Sequence, residues 1–344
     1  MDKFQRIKHG GRAVEAARRW NIPLDKILDF SSNANPLGYS KRIRQLNLSE
    51  FKLNMFPDDS YAELISAIAD RFRCSGNNVL VGNGSTEIIR IIANCFIRKG
   101  TKVAIPENTY EEYRYSAGLF DGEVVNLDFN SESDVAFLCN PNNPTGEVIR
   151  RNKIIDFLEG YKGLLVLDES YIEFLEEEER YTLSDHIDRK NIIVLRSLSK
   201  FYALPGIRLG YCLANEEIIK KLERYRISWN INSIAARMGV IALKDKEFFV
   251  ESKEYIKKER EFFYSRLLKD GIRANNSLTN FFLIKVKDSK KMAEELEKKG
   301  ILVRECSSFG LENCIRVSLR KREENKELMM DFLSFRDYNR KVFQ

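Results

Sequence analysis

The chain has 344 residues, of which 43% are hydrophobic and 31% charged, and it carries a formal net charge of +6. This composition is typical of a folded globular protein. The sequence has no run of about 18 apolar residues, so we expect no membrane span, and its charged first twenty residues contain no apolar core, so we expect no secretory signal. The net charge is small and the charged residues alternate in sign, so we expect no nucleic-acid partner. The slight positive balance suits an anionic small substrate.

The first part of the chain is predicted to contain helices and loops. Residues 12–20 predict a short amphipathic helix, and residues 29–60 are rich in Asn, Pro, Gly and Asp, which indicates loops. Apolar residues at helical spacing in residues 61–73 predict a second helix.

Short apolar runs then alternate with helical stretches, which include residues 86–97, 111–120 and 153–161. Continuous apolar strands between helices are typical of a mostly parallel sheet that is covered on both faces. The seven predicted strands are Val79–Val81, Lys102–Ile105, Val124–Leu127, Val135–Cys139, Leu164–Leu167, Ile192–Leu195 and Leu209–Leu213.

The pattern changes after about residue 215. A long charged helix is predicted over Lys246–Lys269, and shorter strands and helices follow it, which indicates a smaller α+β domain. We therefore divide the chain into a segment over residues 1–40 that packs with the small domain, a large domain over residues 41–230 and a small domain over residues 231–344. The later predicted elements are strands at 281–286, 301–304 and 315–319 and helices at 288–299 and 322–335.

The six cysteines include no CxxC pair. We expect them to be buried free thiols in a reducing cytoplasm. No metal site is expected, because His9 and His186 are the only histidines and neither lies near a cysteine.

The strongest chemical signal is the stretch Ser197–Tyr211, which follows a predicted strand. Lys200 lies there among apolar and aromatic residues, where loss of hydration would lower the pKa of its amine and favour a nucleophile. Ser197, Ser199 and Arg208 could together hold a phosphate. The alternative is a loop that contains an incidental lysine.

Four further clusters lie where predicted strands give way to loops. The glycines of Gly82–Glu87 and the following helix N-terminus could bind an anion, and the two prolines of Asn140–Gly146 could aim an amide side chain. Asp168 lies at the mouth of the sheet, where open α/β sheets bind ligands, and Tyr110 could stack on a planar ring. Taken singly, these clusters could also be a helix cap, a stiff turn, a capping aspartate and a core tyrosine.

Together the five clusters predict a site for a planar, phosphorylated aldehyde with a ring nitrogen, pyridoxal 5'-phosphate. Lys200 would hold this cofactor covalently, Asp168 would keep the pyridine nitrogen protonated, and Asn143 and Tyr171 would hydrogen-bond the ring oxygen. The predicted catalytic residues are Lys200, Asp168 and Tyr171. The predicted cofactor-binding residues are Gly84, Ser85, Thr86, Tyr110, Asn143, Asp168, Tyr171, Ser197, Ser199, Lys200 and Arg208.

These motifs resemble those of the class I/II aminotransferases of fold type I, and the resemblance covers nearly the whole chain. It rests on Asn143–Gly146, Asp168–Tyr171, Ser197–Lys200 and Pro205–Tyr211. The resemblance implies an α/β fold in which a roughly seven-stranded, mostly parallel sheet lies between helices beside a smaller α+β domain. It also implies a homodimer with active sites at the interface.

Within that family the sequence is similar to the branch of histidinol-phosphate aminotransferases and L-threonine-O-3-phosphate decarboxylases. The opening His9–Gly11, together with Leu28–Gly38 and Leu195–Gly206, is similar to the decarboxylases. This implies a carboxy-lyase that converts L-threonine O-3-phosphate to (R)-1-aminopropan-2-yl phosphate and CO2 in cobalamin biosynthesis. Transamination of histidinol phosphate with 2-oxoglutarate is the alternative, and phosphoserine is another possible substrate. The implied substrate contacts are His9, Gly10, Asn33, Asn143, Arg304 and Arg316.

Two positions depart from this branch. Phe56 stands where the branch often has a tyrosine that reaches the cofactor phosphate of the neighbouring subunit, so that contact is missing or is taken over by Tyr61. Tyr171 stands at a position where tyrosine is usual for aminotransferases and where decarboxylases can carry phenylalanine. A non-catalytic ligand sensor on the same scaffold is a third hypothesis.

Overall fold

The computed structural model describes residues 7, 9–129 and 132–338. The strands are β1 (Leu28–Asp29), β2 (Val79–Gly82), β3 (Lys102–Ile105), β4 (Glu123–Asn126), β5 (Val135–Cys139), β6 (Leu164–Asp168), β7 (Ile192–Ser197), β8 (Gly210–Ala214), β9 (Phe281–Lys285), β10 (Ile301–Leu302), β11 (Arg304–Glu305) and β12 (Cys314–Ser318). The helices are α1 (Ala13–Trp20), α2 (Lys41–Arg44), α3 (Ala62–Phe72), α4 (Ser85–Phe96), α5 (Glu112–Leu119), α6 (Arg151–Gly160), α7 (Glu216–Glu223), α8 (Ser233–Lys244), α9 (Lys246–Lys269), α10 (Ser289–Lys298) and α11 (Arg322–Tyr338).

The large sheet has seven strands in the order β2-β8-β7-β6-β5-β3-β4. All of its pairings are parallel except those of β8, which runs antiparallel to both β2 and β7. The connection from β7 to β8 contains only the short turn Pro205–Ile207 and no crossover helix, and a parallel pairing would need such a helix. The predicted mostly parallel sheet is confirmed, with one antiparallel strand that the apolar pattern did not distinguish.

The central strands are apolar on both sides because both faces of the sheet are covered. In β5, Phe137 and Cys139 belong to one cluster of buried side chains, whereas Ala136 and Leu138 belong to another. Alternate residues of a strand point to opposite faces, so each face packs against its own layer of helices. This double burial explains the continuous apolar runs in the sequence.

The later part of the chain forms two smaller sheets. Strands β11, β12 and β9 pair antiparallel, and β1 pairs parallel with β10, with Leu28 opposite Ile301. A strand from the beginning of the chain is thus attached to residues near its end. The division of the chain at residues 40 and 230 remains a prediction.

The described helices include none that is long and apolar enough to cross a membrane. All six cysteines are free thiols. Four of them are buried, whereas Cys74 and Cys95 are half-buried.

Candidate active site

The carboxyl ends of three parallel strands bring the predicted clusters together. Cys139 at the end of β5 lies opposite Asp168 at the end of β6, and Asp168 lies opposite Leu195 of β7. The loops that follow these strands border a cavity of about 720 Å³. Of the predicted site residues, Gly84 and Asn33 lie just behind its wall. The remaining predicted residues line it: His9, Gly10, Ser85, Thr86, Tyr110, Asn143, Asp168, Tyr171, Ser197, Ser199, Lys200, Arg208, Arg304 and Arg316.

Lys200 reaches into the cavity with a half-buried side chain. Its Nζ donates a hydrogen bond of 2.8 Å to the carbonyl oxygen of Ser32. Burial lowers the pKa of the amine to about 8, and the positive charges of Arg316 and Arg208 act in the same direction. A substantial fraction of the amine is therefore neutral near pH 8, which is the form that attacks a carbonyl group.

Asp168 is a buried carboxylate held by two hydrogen bonds. The hydroxyl of Tyr113 donates to Oδ2 at 2.6 Å, and the backbone N–H of Ser170 donates to Oδ1 at 2.9 Å. Burial raises the pKa of Asp168, whereas these hydrogen bonds and the charge of Lys200 oppose the rise. The fixed carboxylate is suited to a protonated ring nitrogen, because an opposite charge would offset its burial.

Tyr113 is a site residue that the sequence analysis missed. Its ring is fully buried and stacks on Phe137 with 5.1 Å between the ring centroids, which fixes the direction of the hydroxyl. A signal was present in the sequence, because Tyr113 lies three residues after Tyr110, a spacing that indicates one helix face, although α5 itself begins only at Glu112.

A phosphate-sized cradle lies at the N-terminus of α4. Gly84 precedes the helix with φ of 81°, which favours glycine, and a Cβ at this position would lie 2.5 Å from the Arg208 guanidinium and displace it. The first N–H groups of α4 have no partner within the helix, and Nη1 of Arg208 lies 3.4 Å from the Ser199 hydroxyl. Backbone N–H groups, a guanidinium and the hydroxyls of Ser197 and Ser199 thus converge, which suits a phosphate dianion.

Asn143 and Tyr171 are tied to residues from distant parts of the chain. Arg316 donates a short hydrogen bond to Oδ1 of Asn143, which leaves the amide N–H2 group of Asn143 as a donor for a ring oxygen. The Tyr171 hydroxyl accepts a hydrogen bond of 3.2 Å from Asn33. Burial raises the pKa of Tyr171 to about 12, and Arg316 opposes the rise, so this hydroxyl keeps its proton at neutral pH.

Two arginines face each other in the cavity wall next to Asn143, a region that we call the substrate end of the cavity. Arg304 and Arg316 are directly opposite on β11 and β12, and both side chains are buried. Arg316 also donates to the Ser31 carbonyl at 2.6 Å. Like charges directly opposite each other are destabilising, and burial together with Arg316 lowers the pKa of Arg304. Such an arrangement is stabilised by an anion, so this end of the cavity is an anion-binding region.

The opening tripeptide His9–Gly11 lies at the rim of the cavity. The His9 ring lies 6.0 Å from the Tyr110 ring. A Cβ on Gly10 would collide with the Ser31 carbonyl, and the N–H of Gly11 donates to the Ser31 hydroxyl at 2.8 Å. The glycines therefore allow this segment to pack closely against the strand end beside the arginines.

Comparison with known proteins agrees with this geometry. Residues 25–332 match the family model described as aminotransferase class I and II. The chain belongs to the class I and II aminotransferase family. It is 30% identical to a histidinol-phosphate aminotransferase of Caldicellulosiruptor saccharolyticus, over 93% of this chain and 94% of that protein, and several other similar relatives carry the same name.

Two other similar proteins carry the decarboxylase name. A protein of Caldanaerobacter subterraneus subsp. tengcongensis, provisionally named threonine-phosphate decarboxylase, is 33% identical over 94% of this chain and 92% of that protein. The crystal structure of L-threonine-O-3-phosphate decarboxylase from Porphyromonas gingivalis has a TM-score of 0.80 and 27% identity, over 90% of this chain and 100% of that chain. The predicted fold-type-I transferase fold is confirmed.

Pyridoxal 5'-phosphate is the cofactor of this aminotransferase family, which confirms the cofactor prediction. The site fits the cofactor, because a lysine of lowered pKa, a buried carboxylate and a phosphate-sized cradle line one cavity. The roles of the individual residues remain predictions.

Of the two alternatives for the contact missing at Phe56, the structure does not favour replacement by Tyr61. The buried Tyr61 hydroxyl accepts a hydrogen bond of 3.0 Å from the backbone N–H of Ile231, so it is used within its own chain. Phe56 itself is 77% exposed, and its ring contacts that of Trp229 in a tilted arrangement with 4.6 Å between the ring centroids.

Proposed function

We propose that this protein decarboxylates L-threonine O-3-phosphate to (R)-1-aminopropan-2-yl phosphate and CO2, a reaction that provides a linker for cobalamin biosynthesis. The main support is the facing pair Arg304 and Arg316 beside the His9–Gly11 segment, in the same cavity as Lys200. Threonine phosphate carries two anionic groups, and guanidinium groups suit both carboxylates and phosphates.

When bound, pyridoxal phosphate supplies a conjugated ring that accepts the electron pair of whichever Cα bond stands perpendicular to it. The contribution of the chain is then orientation. Arg304 and Arg316 hold anionic groups in directions set by their planar guanidinium groups, which determines which substituent of Cα is presented for cleavage. After CO2 leaves, Nζ of Lys200 would return a proton to Cα, since a pKa of about 8 makes both protonation states of the amine accessible.

Transamination of histidinol phosphate with 2-oxoglutarate is the second candidate. Tyr171, which is the usual residue of aminotransferases at this position, favours it, and so do the names of most similar relatives. A phosphate-bearing substrate fits the arginine pair under both hypotheses, so the outcome depends on which bond at Cα is held for cleavage.

A direct comparison of substrates tests the proposal. Purified holoenzyme is incubated with L-threonine O-3-phosphate, with phosphoserine, and with histidinol phosphate plus 2-oxoglutarate, while CO2 and glutamate are measured. We expect CO2 release from threonine phosphate without formation of a keto acid. Glutamate formation from histidinol phosphate without any CO2 release would establish the second candidate, and absence of turnover with every amino substrate would support a ligand sensor.

We further propose that a second copy of the chain is the protein partner. Several large apolar side chains are exposed, including Leu53, Met55, Phe56 and Ile227. The segment that carries Ile227 is linked to the phosphate cradle, because the side-chain amide of Asn83 donates to the Asn230 carbonyl at 3.2 Å, and Phe56 contacts Trp229 of the same segment. Sedimentation of the protein should give twice the chain mass, and a fully active monomer would contradict the proposal.

A further inference from the structure

An acidic side chain lies among the basic residues at the anion-binding end of the cavity. Glu111 directly precedes α5 and lines the cavity together with Arg304 and Phe309. The loop before α5 is attached to the turn Ser307–Phe309, because Nδ2 of Asn108 donates to the Phe309 carbonyl at 3.2 Å. Glu111 therefore extends from the large sheet's side of the cavity towards the small antiparallel sheet.

Glu111 and Arg304 line the same part of the cavity, beside the turn that carries Ser308. Nη2 of Arg304 donates to the Ser308 hydroxyl at 2.7 Å. Burial raises the pKa of Glu111, whereas the positive charge of Arg304 and the polar Ser308 side chain oppose the rise. The carboxyl group thus gives Arg304 a negative partner within the chain.

The facing arginine has partners of a different kind. Arg316 donates to the amide oxygen of Asn143 and to the carbonyl oxygen of Ser31, which are both neutral. An anion that approaches Arg316 competes only with these dipoles, whereas an anion that approaches Arg304 meets the Glu111 carboxylate. The two arginines are therefore unequal as anion sites even though they occupy equivalent positions on paired strands.

We propose that Glu111 is a specificity-determining residue that balances the charge of Arg304 and weakens the binding of a substrate's phosphate group there. This inference needs only one part of the proposed function, namely that the substrate carries a phosphate group. Repulsion grows with the charge of the ligand, so a dianion is penalised about twice as strongly as a monoanion. One consequence is that a product that keeps its phosphate leaves more readily.

The test measures the binding of inorganic phosphate to the holoenzyme, whose cofactor already fills the cradle at α4. The variant Glu111→Gln keeps the size of the side chain but removes its charge. We expect phosphate to bind roughly fivefold more tightly, because the carboxylate no longer offsets the attraction between Arg304 and the phosphate. The effect is modest because the site is partly solvated. Glu111→Asp should bind phosphate as the unmodified protein does. Glu107→Gln is the matched control, because Glu107 is exposed on the same loop.

A double-mutant cycle shows whether the effect acts through Arg304. In an Arg304→Ala background, Glu111→Gln should change the affinity for phosphate by less than about twofold, because the guanidinium that Glu111 balances is gone. The inference is overturned if Glu111→Gln binds phosphate no more tightly than Glu107→Gln, or if the gain persists without Arg304. Because no turnover is measured, this result is independent of whether the enzyme releases CO2 or forms glutamate.

Discussion

The two ends of the cavity are built in different ways. The cofactor end is formed by loops that follow neighbouring parallel strands, with Asp168 and Lys200 only a few residues beyond buried apolar runs. The substrate end is assembled from distant segments, and the hydrogen bond from Arg316 to Ser31 joins residues 285 positions apart. The cofactor end is therefore dictated by local pattern and sheet topology, whereas the substrate end depends on how separate sheets pack.

This contrast predicts that changes at the two ends separate cofactor chemistry from substrate recognition. The largest effect is expected for Lys200→Ala, which removes the covalent attachment point and the proton carrier. Turnover should fall on the order of 10⁴-fold, and borohydride should no longer attach the cofactor to the chain. Retained turnover, or attachment to another lysine, would show that the cofactor end has been assigned to the wrong residue.

Removal of Arg316 should act mainly on the substrate end, although its hydrogen bond to Asn143 is also lost. Hydrogen bonds to charged groups contribute about 1.5–3 kcal/mol each, so Arg316→Ala should raise KM on the order of tenfold to a hundredfold while the protein keeps its cofactor colour. Arg322→Ala is the control, because that guanidinium is paired with Glu259 at 2.8 Å. Loss of the bound cofactor in Arg316→Ala would mean that the two ends are not separable.

The pH dependence of cofactor uptake measures the environment of Lys200. Its pKa of about 8 lies below the ordinary value for lysine, so the neutral, reactive amine becomes abundant as the pH rises towards 8. Uptake of pyridoxal phosphate by the apoprotein should accelerate roughly tenfold between pH 6.5 and 8 and then level off. A rate that continues to climb steeply between pH 9 and 10 would indicate a solvated lysine of ordinary pKa.

The smallest effect is expected for Tyr113→Phe, which removes one hydrogen bond to Asp168 and keeps the stacked ring. A hydrogen bond to a charged group contributes about 1.5–3 kcal/mol, and we expect the lower end of this range because the Ser170 N–H remains bonded to Asp168, so cofactor affinity should fall about tenfold. The pH dependence of the bound cofactor's absorbance should also shift, which a purely structural role would not cause. Tyr115→Phe, on the same helix, should leave both unchanged.

The cofactor end was largely predictable from the sequence. Lys200 and Asp168 both follow apolar runs that form parallel strands, and side chains at the carboxyl ends of such strands meet at one edge of the sheet. The antiparallel direction of β8 was not predicted, because an apolar run looks the same in either direction. Tyr113 was missed because its spacing from Tyr110 indicates a shared helix face but not what that face contacts.

The substrate end was only partly predictable. Arg304 and Arg316 were identified through family resemblance, but nothing in their spacing indicates that they are directly opposite on paired strands. The role that we propose for Glu111 could not be predicted from the sequence either, because there it is only one of two adjacent acidic residues at the start of a helix. It lies beside Arg304 in the cavity only because the loop before α5 packs against a turn almost two hundred residues later.

The sequence by itself determined the seven-strand sheet and the loops that hold the cofactor, because apolar periodicity sets the strands and parallel pairing places their ends together. Tertiary structure alone decided which partner each arginine has, and hence how strongly each end of the cavity attracts an anion. Hydrogen bonds between remote segments depend on the packing of separate sheets, which no local spacing encodes.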